Sequence, residues 1–153
     1  VTPLLAPPSE PPLHLPVTIT VRPAQDAYDY EYFVERLADP SVLRRSVAVQ
    51  IFRAPLLAVP VEWPRRGGYL SVDNVCIALA IRDALRPLVG FPRLRMSWSP
   101  YPDTCHVVEW GETPPGWWDD EARGRFYGYS EAAIATFMQR YRTRSRFVLD
   151  EQV

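Results

Sequence analysis

Tyr69-Leu70-Ser71-Val72-Asp73-Asn74-Val75-Cys76-Ile77-Ala78-Leu79-Ala80-Ile81-Arg82-Asp83-Ala84-Leu85-Arg86-Pro87 carries a strand and a helix back to back. Tyr69 to Val72 is short and β-favouring, as a strand leaving the Pro64-Arg65-Arg66-Gly67-Gly68 turn is expected to be. Asp73 then stands where a helix N-cap is wanted, and the helix is expected from Asn74 to about Arg86. The apolar run Val75 to Ile81 implies cover on most of its sides, with Ile77, Ala78, Ile81 and Leu85 as the central stripe. Pro87 disfavours helical geometry at Arg86 and ends it.

Upstream, Val17 to Arg22 alternates and is β-branched, a first strand stopped by Pro23. Asp26 is placed to cap a helix through Tyr28, Tyr32, Phe33 and Leu37, ending before Pro40, with a further helical turn at Ser41 to Arg45. Ser46 to Arg53 reads as a strand with Val47, Val49 and Ile51 on one face. Leu56 to Glu62 reads as another, confined to a sheet edge by Pro60. Downstream, Arg93 to Ser99 and Cys105 to Trp110 are expected to pair as a hairpin, a short helix to span Trp117 to Arg123, and Ser130 to cap a last helix bearing Ile134, Phe137, Met138 and Tyr141. Strand runs broken by single helices predict an α+β domain, a mostly antiparallel sheet with two or three helices packed on one face.

One such domain over residues 17–149 suits a chain of 153 residues. Residues 1–16 hold six prolines and are expected to be an extended, disordered tail; 150–153 read as a short tail. That opening stretch lacks the positive start and apolar core of a secretory signal, which predicts a cytoplasmic protein with Cys76 and Cys105 as thiols. No apolar run is long enough for a membrane span. A net charge of −1 argues against a dedicated nucleic-acid binder. All seventeen basic residues are Arg and Asn74 is the single Asn, a bias that points to a GC-rich genome.

Tyr69-Leu70-Ser71-Val72-Asp73-Asn74, His106-Val107-Val108-Glu109-Trp110-Gly111 and Phe126-Tyr127-Gly128-Tyr129-Ser130-Glu131-Ala132-Ala133-Ile134 together resemble a family of small actinobacterial proteins of unknown function. The resemblance covers residues 17–147 and implies a single domain; it carries over no catalytic residue.

Three constellations bear on chemistry. Trp98, Tyr101, Trp110, Trp117, Trp118, Phe126, Tyr127 and Tyr129 crowd one stretch, and aromatic rings with polar handles line ligand pockets and interface centres. The leading expectation is therefore a non-enzymatic binding or accessory domain engaging a protein or small ligand through Trp98, Tyr101, Trp110, Trp117, Trp118, Tyr127 and Tyr129. Two adjacent tryptophans rarely both point inward, so at least one of Trp117 and Trp118 is expected to face solvent.

The rival is a cysteine-dependent acyl-transfer or hydrolytic enzyme. Cys76 falls in the first helical turn, where the positive helix end favours thiolate, and His106 on a later strand is the candidate base. The commoner outcome for such residues is a core thiol and a structural histidine. A zinc site from Cys76, Cys105 and His106 lacks any C-x₂-C spacing, and no metal or cofactor is expected. The third constellation, Arg140-Tyr141-Arg142-Thr143-Arg144-Ser145-Arg146-Phe147, would offer four Arg to phosphates if extended, but if helical it is a solvated helix end. An Arg-dependent nucleic-acid accessory is the weakest of the three readings. There is no Gly-rich phosphate loop, G-x-S-x-G elbow or H-E-x-x-H.

Overall fold

A computed structural model describes residues 18–97 and 105–150, with side chains described through Thr143. The fold is α+β, as the element order implies. Its strands are β1 (Thr20–Pro23), β2 (Val47–Ile51), β3 (Ala54–Ala58), β4 (Gly67–Val72), β5 (Arg95–Ser97) and β6 (His106–Gly111). Its helices are α1 (Tyr30–Arg36), α2 (Val75–Leu85), α3 (Asp120–Phe126) and α4 (Glu131–Asp150), with 3-10 turns at Ala24–Asp26 and Pro40–Arg45.

The expected single sheet is two sheets of three strands, β1-β2-β3 and β4-β6-β5, antiparallel throughout. The division lies at Pro60. β3 stops at Ala58, two residues short of a proline that has no N–H for a ladder, so the chain leaves before β4 begins. β3 is an edge strand, as Pro60 predicted.

β2 and β3 feed a core on each face, which replaces the expected arrangement of helices on one face only. Val49 and Ala58, backed by Val47, Ile51 and Leu56, join Leu70, Ile77, Ala78, Ile81, Leu85, Val108 and Trp110 in the core under α2. The alternate residues Ala48 and Leu57 join Val59 with Leu37, Val42 and Leu43, against the α1 side. Ala48 and Leu57 are direct cross-strand partners, as are Val49 and Leu56, so the pleat alone sorts the two sets.

Two caps differ from expectation. Asn74, not Asp73, closes α2: its Oδ1 accepts from the N–H of Cys76 at 2.8 Å and of Ile77 at 3.3 Å. Asp26 ends a 3-10 turn, and α1 begins only at Tyr30. Asp29 precedes α1 yet spends its carboxylate elsewhere, accepting the N–H of Leu57 at 2.8 Å and so fastening α1 to β3. Burial holds the Asp29 carboxyl above its ordinary value, against the lowering effect of that hydrogen bond. Ser130 does cap α4, its Oγ accepting from Ala133 at 3.1 Å. The C-terminal Arg run is helical, since α4 continues to Asp150, so no extended ribbon of arginines is formed. No helix among the described residues is long and apolar enough to cross a membrane.

Candidate functional site

The site is built where the 62–69 turn and strand meet the segment joining α3 to α4. Glu62 and Arg65 exchange backbone hydrogen bonds, Arg65 N–H to Glu62 O at 2.8 Å and the return at 3.2 Å, which fixes the turn carrying Arg65. Residues 126–130 run alongside as an irregular strap. Phe126 O accepts from Arg66 N, Gly128 O from Ala38 N, and the N–H of Ser130 reaches Arg36 O at 2.8 Å. Gly128 sits at φ +76°, and a Cβ there would stand 2.9 Å from the Cβ of Arg65. Glycine is required on both counts, and through it the strap lies flat over Arg65.

Arg65 is 5% exposed. Its Nη1 donates to the carbonyl of Tyr127 at 2.7 Å, its Nε has no partner, and no carboxylate among the described residues pairs with it. The guanidinium lies between the rings of Phe33 and Tyr127, 5.9 and 5.6 Å from their centroids. Burial lowers its pKa, and the neighbours that oppose the shift are the phenols of Tyr129, Tyr127 and Tyr69 rather than any acid. A buried arginine with an unsatisfied donor and no anion is costly, and such groups concentrate at functional sites.

In front of Arg65 those same phenols open onto a cleft of about 500 Å³ between α1, α3, α4 and β4. Tyr69, Tyr127 and Tyr129 form its wall, while Ile134 and Phe137 of α4 give it an apolar side. Arg123 of α3 also lines it, donating to Pro115 O at 3.0 Å and to the Tyr127 hydroxyl at 3.4 Å, both neutral acceptors. Arg36 stacks on Tyr32 at 3.9 Å and pairs with Glu35 at 3.3 Å. Burial raises the Tyr127 phenol and pushes that of Tyr129 up to about 12.

Of the aromatic residues singled out in the sequence, Tyr127 and Tyr129 come together in this cleft. Trp117 and Trp118 lie in the loop before α3, edge to face at 5.9 Å, and both face solvent, 80% and 74% exposed. Trp110 is 1% exposed, packed on Phe91 at 5.1 Å with its indole N–H on Val59 O at 2.9 Å, so it is taken up by the core. Trp98 and Tyr101 fall outside the described residues.

Cys76 is exposed at the start of α2, and Cys105 is exposed beside β6. His106 pairs with Val72 across the β4–β6 ladder. No hydrogen bond joins Cys76 to His106, and the buried His106 Nδ1 has no partner among the described residues, so none of them orients the imidazole through that nitrogen. No cluster of three metal-ligating side chains occurs among the described residues.

Arg65, Arg36, Arg123 and Tyr69 were not signalled by the sequence as site residues. Nothing in the sequence shows which of two adjacent arginines turns inward.

No curated protein and no solved structure matches the chain. A family profile described as a family of unknown function, DUF6302, matches residues 21–149, which takes in the cleft, all of both sheets but Thr20 of β1, and all but the last residue of α4. The chain belongs to the DUF6302 family.

Proposed function

We propose that this protein is a binding module whose ligand is a small molecule seated in the cleft between α1, α3, α4 and β4. The observation that carries the reading is the buried Arg65, without a carboxylate among the described residues, whose neighbours are the three phenols that line the cleft. A volume of about 500 Å³ lies within the range of small-molecule sites, and the mix of ring faces, apolar side chains and few convergent polar groups is the composition such sites have. Two exposed thiols support a reducing, cytoplasmic setting.

Backbone amide NMR during a small-fragment screen tests the assignment. Binders are expected to shift Tyr69, Gly124, Tyr127, Tyr129 and Ile134 together. Shifts confined to the 114–118 loop would overturn it in favour of a second reading, recognition of a protein through Trp117 and Trp118. That reading is favoured by the exposure of both rings, which is unusual for a pair this large.

A further inference from the structure

We propose that the cleft selects a small organic anion, a flat or short apolar body bearing one carboxylate or phosphate group, held through Arg123 with Arg65 behind it. This rests on the reading of the cleft as a small-molecule site and names the chemistry of its ligand.

Charge is the first ground. Arg36, Arg123 and Arg140 line the cleft against Glu35 and Asp120, and Arg65 adds a fourth cation from behind. Glu35 is taken by Arg36. Arg65 and Arg123 make no ion pair among the described residues and donate only to carbonyls and a phenol. The recess thus holds an excess of positive charge with low-dielectric walls, which draws anions and repels cations.

Helix α4 is the second. It is 20 residues long, and its cap Ser130 and first-turn residues Ala132 and Ala133 line the cleft, so the positive end of its dipole faces the same space. Arg65, nearly fully buried and without a carboxylate among the described residues, stands behind Tyr127 rather than in the cleft lining, so it reaches the same space through its charge and not through a hydrogen bond. Tyr127 and Tyr129, protonated at neutral pH as phenols are, supply hydroxyl groups at the cleft wall. Ile134 and Phe137 provide the surface for an apolar body, which bare inorganic phosphate lacks.

The test is a matched series on one ring: benzoate, phenyl phosphate, benzamide and benzylamine, titrated by calorimetry and amide NMR into the wild type, Arg123→Gln and Arg86→Gln. Arg86 lies outside the cleft, and its replacement removes the same net charge. At least one of the two anions is expected to bind roughly tenfold or more tighter than benzamide, with benzylamine weakest. Arg123→Gln should erase that preference and Arg86→Gln should keep it. Whichever of benzoate and phenyl phosphate binds tighter identifies the anionic group. If benzamide or benzylamine shifts the cleft amides as well as the anions do, the anion assignment is overturned while the cleft reading stands. If no member shifts those amides at concentrations of about 10 mM, both are overturned.

Discussion

Replacing Arg65 with methionine is expected to change the stability of the fold by no more than about 2 kcal/mol, while removing the buried charge behind the cleft. Two contributions are lost. The hydrogen bond from Nη1 to Tyr127 O at 2.7 Å, from a charged donor, is worth about 1.5–3 kcal/mol. The contacts with the Phe33 and Tyr127 rings are worth about 0.5–2 kcal/mol. Two costs disappear with the guanidinium: a desolvation penalty of several kcal/mol that no carboxylate offsets, and about 1–3 kcal/mol for the unsatisfied Nε. Methionine has similar reach and an adaptable thioether, so no large void follows. Gains and losses are of similar size, and with the Tyr127 carbonyl also left without its donor the net lies within about 2 kcal/mol of zero. Urea unfolding of both proteins at pH 7, with equal m-values, reads this difference. Destabilisation by more than about 2 kcal/mol would refute the reasoning, because Arg65 would then be holding the fold together rather than being carried at its expense.

Three further outcomes follow from the same structure. Tyr129 titrates at about 12, above its ordinary 10.0, because burial disfavours the phenolate. A raised folded-state value means that its contribution to stability, up to about 2–3 kcal/mol, is complete below pH 10 and is lost as pH rises toward 12. Absorbance titration near 295 nm should show a late phenol that Tyr129→Phe removes. Asp29 is raised by burial, so its charged form weakens the fold above its unfolded value. Asp29→Asn keeps the Leu57 acceptor, sheds that charge, and should change stability at pH 7 by no more than about 1 kcal/mol, upward if at all; a large loss would show the carboxylate itself to be needed. Asn74→Ala removes the acceptor of two first-turn N–H groups and should cost about 1 kcal/mol, whereas Asp73→Ala should cost little, both measured by denaturant unfolding.

The fold was legible where local chemistry and tertiary packing agree. The apolar spacing of Ile77, Ala78, Ile81 and Leu85 predicted the face that α2 buries. Ser130 announced α4, and Pro60 placed β3 at an edge. What failed were choices between neighbours. Asp73 and Asn74 are both good caps, and the one whose Oδ1 meets two orphan N–H groups is decided by where the strand exit leaves the chain. Asp29 falls inside the helix expected from Asp26 and carries no signal of its own, because its partner, Leu57, is 28 positions away. β2 was read as having one buried face because alanine at 48 gives a weak hydrophobic signal, yet Ala48 is fully buried in the second core.

The site shows the same limit more strongly. Tyr127 and Tyr129 stood out by type, since aromatic density is visible in any sequence. Arg65 did not, because its importance comes from what is missing around it: a carboxylate that the fold never brings near among the described residues. Trp110 drew notice for the same compositional reason as the tyrosines, but its parity on β6 turns it toward Phe91 and Val59. Helix α4 begins at the cleft and extends about 30 Å by its length, with Phe137 on the cleft side and the Arg140 and Arg142 side chains exposed.

The central claim is that a buried arginine behind a tyrosine-lined cleft serves an anionic ligand. Calorimetric titration of benzoate and of phenyl phosphate into wild type and Arg65→Met, at matched salt, tests it most directly. The account predicts that the anion preferred by the wild type binds Arg65→Met at least roughly tenfold more weakly, in a protein within about 2 kcal/mol of its parent's stability. Equal affinity in the two proteins would contradict it.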